Sequence, residues 1–323
     1  MDRFDGAARD AGDAGARRLS GAVNTGTHDH LPQRLWWVLA GLTLVWGFNW
    51  TAMKVALTQV SPWTFRALCL GLGGLVLIVA LRAGGQRLAS PKGHWRRLML
   101  LALFNITGWN VLVAFGLQMI PAGRAAILGY TMPALAIPLS IWLLGERPTP
   151  QKLLGLALGM AGLALLMGEA AVAVGTAPLG SLLVLGAAAS WALGVVLQKK
   201  YPVDMPPGSY TAWIMLLGGL PMIVMALLVD DLRALGRIDL WPALGVVYNV
   251  FLSFGFAYWA WIKIATQVSV TVFSISTLII PVVGVLSGML FLGERPSLAE
   301  FGALALVLGS LLTVVIPPRA SRG

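Results

Sequence analysis

The sequence predicts an all-α membrane protein of ten transmembrane helices, arranged as two inverted five-helix repeats with both termini in the cytoplasm. The first reason is composition, because hydrophobic residues make up 58% of the 323 residues and charged residues only 11%. A soluble protein carries about 25% charged residues. The second reason is a series of continuous apolar stretches, long enough to cross a bilayer as helices and without the alternation of barrel strands.

The third reason is an internal repeat. The hexapeptide LLGERP at residues 143–148 returns as FLGERP at residues 291–296. Pro133 and Pro281 stand at the same distance before the glutamate of each copy. Repetition of this kind indicates that the chain holds two copies of one unit.

Residues 1–34 precede the first apolar span and are rich in Gly, Ala, Asp and Arg. They lack the apolar stretch of a signal peptide, which predicts a disordered cytoplasmic tail. The rest of the chain divides into a first repeat at 35–168 and a second repeat at 179–316. The predicted spans are 35–56, 63–81, 98–119, 122–144 and 151–167, then 179–197, 210–228, 240–264, 268–292 and 298–316.

The Lys and Arg residues near the span ends predict the orientation. They fall mainly on the side of the amino terminus, most densely in residues 82–97, so both termini are expected inside. Five spans per repeat is an odd number, which inverts the second repeat and favours a site near the bilayer midplane. The net charge of +10 is consistent with this bias. No basic patch with interleaved aromatic residues predicts a nucleic-acid partner.

Two tryptophan motifs occupy corresponding places in the two repeats. Residues 46–50, WGFNW, are followed by Lys54, and residues 190–194, SWALG, are followed by Lys199. With residues 121–126, PAGRAA, and the two GERP stretches, they resemble the drug/metabolite transporter superfamily, in its ten-helix members with two EamA domains. Aromatic content and length are most similar to the YddG-type amino-acid exporters. That resemblance implies export of aromatic and other neutral amino acids across the bacterial inner membrane.

Polar side chains within the predicted spans are the candidate binding groups, because a polar group is costly inside a bilayer. An Asn amide suits the carboxylate and ammonium of a zwitterion, and Trp or Tyr rings supply an apolar wall. The same Asn side chains could instead join helices by hydrogen bonds. The predicted substrate-binding residues are Trp46, Asn49, Asn105, Trp109, Asn110, Tyr130, Trp191, Asn249, Ser253 and Tyr258.

Pro133 and Pro281 are predicted to kink the fourth and ninth spans, because proline removes a helical hydrogen bond. The kinks could act as hinges or merely shape the bundle. Glu146 and Glu294 each stand shortly before a proline. We interpret them as turn residues whose carboxylates stabilise the start of the next helix.

The predicted spans hold no Asp or Glu near their centres, and the histidines lie outside them. Proton-coupled carriers commonly use such groups as relays, so the sequence favours facilitated diffusion by alternating access. A proton-antiport exporter of other metabolites or drugs, or a channel-like pore, is the alternative. No protease or nucleotide-binding motif predicts an enzyme. We expect no cofactor and no metal, with amino-acid substrates and the lipid bilayer as partners and a monomer favoured.

Overall fold

The computed structural model describes residues 33–147, 149–172, 177–265 and 270–315. The predicted tail at 1–34 therefore lies almost entirely outside the described residues. The chain divides at Trp36 into two units, and the second, Trp37–Gly323, contains the helical bundle.

Every regular element in the described ranges is helical, which confirms the all-helical prediction. The helices from the first half of the chain are α1 Gln33–Ala56, α2 Pro62–Ala83, α3 Trp95–Ala102, α4 Trp109–Met119, α5 Ala122–Gly129, α6 Met132–Leu144 and α7 Pro150–Val172. Those from the second half are α8 Ala177–Lys200, α9 Pro207–Val229, α10 Leu240–Val247, α11 Ala257–Ala265, α12 Val270–Leu292 and α13 Leu298–Val315.

Two π-helical segments, Leu103–Gly108 and Tyr248–Phe256, join α3 to α4 and α10 to α11 into continuous helices. Within the described residues, seven helical paths are long and apolar enough to cross a membrane. They are Pro62–Ala83, Trp95–Met119, Ala122–Leu144, Pro150–Glu169, Ala177–Lys200, Pro207–Val229 and Leu240–Ile264, with shorter apolar helices at Ile279–Leu292 and Leu298–Thr313. The ten-span inverted arrangement and the location of the termini remain predictions.

The repeated hexapeptide ends a helix in the same way in both copies. Gly145 and Gly293 have φ values of 67° and 66°, in the left-handed region that glycine enters without steric cost. The amide of the following glutamate then donates back to a carbonyl of its own helix, at 3.4 Å for Glu146 and 3.2 Å for Glu294. This pattern is a helix C-terminal cap, so sequence repeat and local structure agree.

Contacts between loops define two ends of the bundle. At the first end, the loops after α1, α4, α9 and α12 meet. There Ser61 Oγ donates to Asp230, and Ala122 N donates to Glu294 Oε1 at 2.6 Å.

At the second end, the loops after α2, α6 and α8 meet. There Lys199 Nζ donates to Glu146, and Trp213 Nε1 at the start of α9 donates to Ala89 O at 2.9 Å. The two glutamates of the repeated hexapeptide therefore lie at opposite ends of the bundle.

Small residues bring the backbones of α7 and α13 close together. A Cβ on Gly155 would lie 2.1 Å from Thr313 Oγ1, and one on Gly159 would lie 3.1 Å from Ser310 Oγ. Ser310 Oγ also donates to Gly155 O at 2.6 Å. Small-residue contacts commonly join helices in membranes, and these join two helices of one chain.

The two predicted hinge prolines lie in different local structures. Pro133 stands in the first turn of α6, just after the helical path is interrupted between Gly129 and Met132. Pro281 lies inside the uninterrupted helix α12. The pair is therefore not equivalent in backbone structure, and a hinge at either proline remains a prediction.

Candidate substrate cavity

A cavity of about 640 Å³ lies among helices from both halves of the chain. Small-molecule sites occupy roughly 300–1,000 Å³. Asn249 is fully buried and not part of the lining, and its Nδ2 donates to Gly245 O at 2.9 Å. The other predicted binding residues line the cavity: Trp46, Asn49, Asn105, Trp109, Asn110, Tyr130, Trp191, Ser253 and Tyr258.

Aromatic rings form two groups in the cavity wall. In one, the ring centroids of Trp46 and Tyr258 lie 5.7 Å apart. In the other, the Trp109 ring lies 5.3 Å from that of Trp191 and 6.4 Å from that of Trp50. All three pairs meet edge to face, an arrangement that aromatic rings favour. They supply rigid apolar walls that carry a few N–H and O–H groups.

The π-helical segments bring polar residues to the cavity. Asn105 lies in the first segment and Ser253 in the second. A π-helix is a rare, wider turn that is often found at functional sites. Gly194 of α8 leaves the space that Asn105 occupies, since a Cβ there would lie 1.9 Å from Asn105 Oδ1.

Each π-helical segment is fastened to a helix from the other half of the chain. Ser190 Oγ of α8 donates to Phe104 O in the first segment at 2.8 Å. Tyr248 Oη in the second segment donates to Val45 O of α1, also at 2.8 Å. The cavity wall is therefore built from corresponding contacts between the halves.

Two buried amide oxygens in the wall accept no hydrogen bond from the described residues. They are Asn105 Oδ1 and Asn110 Oδ1, whereas Asn49 Oδ1 accepts from Ser253 Oγ at 2.8 Å. The phenol of Tyr210 lies near Asn105 but outside hydrogen-bond geometry. Most buried polar atoms in proteins are paired, so these two oxygens are exceptions, and that of Asn105 lies against Gly194 of α8.

Arg66 is a cavity residue that the polar pattern of the sequence did not single out as a site. It lies in α2, one turn after Pro62, and is 2% exposed. Its Nε donates to Asn110 O at 3.2 Å and its Nη2 to Met53 Sδ at 3.0 Å. The available signal was its place inside the span 63–81, because charges within spans mark functional sites.

The cavity reaches solvent at the second end. Exposed Gln198 near the end of α8 and exposed Pro207 at the start of α9 both line it. Trp50 and Met53, at the other extremity, are 4% and 2% exposed. The exposed part of the cavity lining therefore lies at the second end.

A comparison with protein families gives the class of the chain. The model of the EamA-like transporter family matches residues 35–168 and, a second time, residues 178–316. The chain belongs to the EamA-like transporter family. The resemblance to the drug/metabolite transporters that the motifs indicated is thereby confirmed. The family and the apolar helices indicate a multi-pass membrane transporter and not an enzyme.

Relatives of this EamA transporter carry transporter names. It is 26% identical over 275 residues to the uncharacterized transporter YoaV of Bacillus subtilis, covering 85% of this chain and 92% of that protein. It is 28% identical over 288 residues to the probable amino-acid metabolite efflux pump of Escherichia coli, covering 84% and 92%. A known crystal structure superposes with a TM-score of 0.62 at 21% identity, covering 87% of this chain and 96% of that chain. The two share the fold.

At the first end of this EamA transporter, a lysine and a glutamate hold the turn between α4 and α5. Lys54 Nζ donates to Leu117 O at 2.6 Å and to Ile120 O at 2.8 Å. Glu294 accepts from the amide of Ala122 at 2.6 Å and from the next amide at 2.9 Å. The lysine satisfies carbonyls left free at a helix end, and the glutamate satisfies amides at a helix start.

A buried ion network lies beside this turn. Arg124 Nε donates to Glu300 Oε1 at 2.7 Å, and Arg124 Nη2 donates to Glu169. Arg124 and Glu300 are 9% and 6% exposed. The network ties α5 to α7 and α13 at the first end.

At the second end, the corresponding lysine and glutamate bind each other. Glu146 accepts from Lys199 and, at 3.1 Å, from Lys152. These hydrogen bonds, from Lys199 first and Lys152 second, hold the pKa of Glu146 below its ordinary value. The cavity opens between the helices of this end.

The interpretation that these glutamates stabilise the start of the next helix is wrong for Glu294. It stabilises the start of α5, because the next helix, α13, has its own cap. Ser297 N donates to Glu300 Oε2 at 3.0 Å, and Glu300 N donates to Ser297 Oγ at 3.1 Å. This is a capping box, which leaves Glu294 free for the helix across the turn.

Proposed function

We propose that this transporter exports small zwitterionic metabolites, above all aromatic and other neutral amino acids, across the bacterial inner membrane. The observation that carries the proposal is the cavity wall, which combines aromatic rings with the amide side chains of Asn49, Asn105 and Asn110. Rings suit an apolar or aromatic side chain, and amide oxygens accept hydrogen bonds from an ammonium group. The name of the Escherichia coli relative, a probable amino-acid metabolite efflux pump, supports the same substrate class.

Alternating access between two inverted repeats is the mechanism that we propose. It is supported by the placement of the corresponding motifs. Lys54 lies at the first end and Lys199 at the second, and the two glutamates are likewise divided between the ends. Inverted repeats place a site between the halves and open it to alternate sides.

The proposed direction of transport follows from the charge distribution. The loop after α2 belongs to the second end, and residues 82–97 hold the densest group of Lys and Arg. The positive-inside rule then makes the second end cytoplasmic, and the described conformation is open to the cytoplasm. In the state open to the other side, Lys199 and Glu146 would separate and bind helix ends, as Lys54 and Glu294 do in the described conformation. Lys54 and Glu294 would then bind each other.

The residues that line the cavity favour facilitated diffusion over proton-coupled transport. Among the described residues that line it, none is Asp, Glu or His. A proton relay inside a membrane protein is commonly built from those side chains. Export is then driven by the substrate gradient alone.

The test is uptake of labelled phenylalanine, threonine and lysine into proteoliposomes, with and without an imposed pH gradient. We expect saturable, counterflow-stimulated flux of phenylalanine and threonine without the gradient. A strict need for the gradient would indicate proton antiport, and flux that does not saturate would indicate a pore. Flux of none of the three would reject the amino-acid proposal.

A matched pair of tryptophan variants links the flux to the cavity. Trp109→Ala removes rings that contact Trp50 and Trp191 in the wall, whereas Trp142→Ala removes a ring that is 78% exposed on α6. We expect phenylalanine flux to fall by about twofold to tenfold in the first variant only, the range that an aromatic contact supports. Equal flux in both variants, at equal amounts of folded protein, would contradict a binding role for Trp109.

A further inference from the structure

Arg66 carries a buried charge that the described residues do not neutralise. Its two hydrogen bonds go to a backbone carbonyl, Asn110 O, and to a thioether, Met53 Sδ. Arginine has five N–H donors and stays protonated in proteins, so three donors have no partner among the described residues. Arg66 is also the one charged side chain among the described residues that line the cavity.

The other buried arginine among the described residues, Arg124, is neutralised by carboxylates. Arg124 binds both Glu169 and Glu300, and it is more exposed than Arg66, at 9% against 2%. The carboxylates of the described helices and loops that form ion pairs do so with Arg124, Lys152 and Lys199. None of these carboxylates is an ion-pair partner of Arg66.

An unpaired charge within a membrane span costs several kcal/mol and is retained where it has a function. The phenyl ring of Phe65, 5.1 Å from the Arg66 guanidinium carbon, offers only a weak cation–π contact. Removal of the charge would therefore be favourable for folding alone. Its retention beside a cavity indicates an anionic ligand.

We propose that Arg66 binds the carboxylate of the transported substrate, and that substrates of this carrier must present a single negative group. The planar guanidinium matches the two oxygens of a carboxylate. A single cation suits a monoanion better than a doubly charged phosphate. This inference rests on the proposed function for the identity of the substrate, but the charge requirement belongs to the cavity itself.

Arg66 lies near the first end, and the exposed lining residue Gln198 lies at the second end. A substrate with its carboxylate on Arg66 therefore lies with that group deepest in the cavity. Its ammonium group comes near Asn105 and Asn110, and its side chain lies along the rings of Trp109 and Trp191. Removing the carboxylate should weaken binding more than removing the ammonium group.

The experiment measures binding of four probes that share one phenyl ring, using the full chain in detergent. The probes are phenylalanine, 3-phenylpropionate, phenethylamine and 3-phenylpropanamide. Binding is read as the concentration-dependent rise in unfolding temperature, because a ligand of the folded state stabilises it. We expect phenylalanine and 3-phenylpropionate to bind, and the amine and the amide to bind at least tenfold more weakly.

The variants assign that preference to Arg66. Arg66→Gln should weaken 3-phenylpropionate binding by roughly tenfold or more, as loss of a hydrogen bond to a charged group predicts. Arg66→Lys keeps the charge and should retain the preference for the anion over the amide, which keeps the test informative if the Gln variant does not fold. Arg82→Gln, an exposed position at the other end of the same helix, is the control and should bind all probes as the unmodified chain does.

Three results would overturn the proposal. They are equal binding of amide and anion, unchanged anion binding by Arg66→Gln, and binding of none of the probes. The amino-acid function fails separately, through the flux assay. If phenylalanine is not transported but 3-phenylpropionate binds in an Arg66-dependent way, the anion site stands and the substrate is a different carboxylate.

Discussion

The two ends of the molecule carry the same short motifs and hold them in different contacts. At the first end, Lys54 binds the carbonyls at the end of α4 and Glu294 binds the amides at the start of α5. At the second end, Lys199 and Glu146 bind each other. The local structure is the same, because both glutamates follow a glycine with positive φ. The difference therefore lies in the partners and not in the motifs.

The lysine and the glutamate of each end are thus stabilised in one of two ways, by helix ends or by each other. A charge at a helix end contributes about 0.3–1 kcal/mol, and an exposed ion pair contributes about 0–1 kcal/mol. The net contribution of each arrangement is thus small, although removal of Lys54 also leaves carbonyls unpaired and costs more than removal of the exposed Lys199. Arrangements of small net free energy fit the proposed alternating access, in which each end would adopt either arrangement during one transport cycle.

The largest expected effect comes from breaking the ion network of the first end. Arg124→Gln leaves Glu300 buried without its cation, which should lower the free energy of unfolding by about 3–5 kcal/mol. Thermal or denaturant unfolding in detergent measures this. Arg295→Gln, an exposed neighbour at the same end, should change it by less than about 0.5 kcal/mol. Similar losses in both variants would show that the network does not stabilise the first end.

The two corresponding lysines should differ in the same measurement. Lys54→Met leaves buried carbonyls at the end of α4 unpaired, for a loss of about 1–3 kcal/mol. Lys199→Met removes a side chain that is 68% exposed, so the loss should stay below about 1 kcal/mol. Equal losses would contradict this difference and would mean that the two ends are stabilised to the same extent in solution.

A smaller effect is expected from a hydrogen bond between α1 and α12 near the first end. Thr51 Oγ1 and Ser287 Oγ lie 2.7 Å apart and are both buried. A double-mutant cycle with Thr51→Val and Ser287→Ala should give a coupling of about 0.6 kcal/mol, as such bonds do in membrane proteins. Thr58→Val, at an exposed threonine of the same end, paired with Ser287→Ala should give no coupling. A coupling near zero in the first cycle would show that the hydrogen bond between Thr51 and Ser287 does not stabilise the first end.

The smallest expected effect is a pH dependence at the second end. The lysine partners lower the pKa of Glu146, so the folded protein binds the proton less readily than the unfolded chain does. The stabilisation is complete above the ordinary Glu pKa of about 4.3 and is lost as the pH falls through the lowered value. Unfolding temperatures of the native chain and Glu146→Gln should differ at pH 7, and the difference should shrink as the pH falls below the ordinary Glu pKa. A difference that does not shrink on acidification would contradict this assignment.

Much of the fold followed from the apolar pattern. The spans at 98–119 and 240–264 correspond to the continuous helices Trp95–Met119 and Leu240–Ile264, because a long apolar run without charges has few other stable forms in a bilayer. The π-helical segments inside both helices were not predicted. Apolar periodicity indicates which face of a helix is buried. It does not distinguish the backbone hydrogen bonds of an α-helix, between residues four apart, from those of a π-helix, between residues five apart.

The candidate site was predictable where a polar side chain stands in an apolar span, because such a group is costly inside a bilayer. Asn105, Asn110 and Ser253 attract notice as polar groups in apolar spans, and the structure places them in one cavity. Arg66 stands near the start of the predicted span 63–81, where a cation usually reaches the interface. Only the packing around it shows that it is enclosed. The partners of Glu294 lie far away in sequence, on the turn at Ala122, and no local pattern reports such a contact.

The seam between α7 and α13 has a mechanical consequence. Gly155, Gly159 and Gly162 face α13 at successive turns, and a Cβ on Gly162 would lie 3.2 Å from Ala303 O. Backbones that interlock at three levels resist sliding along their axis, but they can still roll against each other. If the two halves of the chain rearrange, the contact between α7 and α13 acts as the rotation axis. Displacements then stay small beside these two helices and grow with distance from them, towards the cavity and the loops at the two ends.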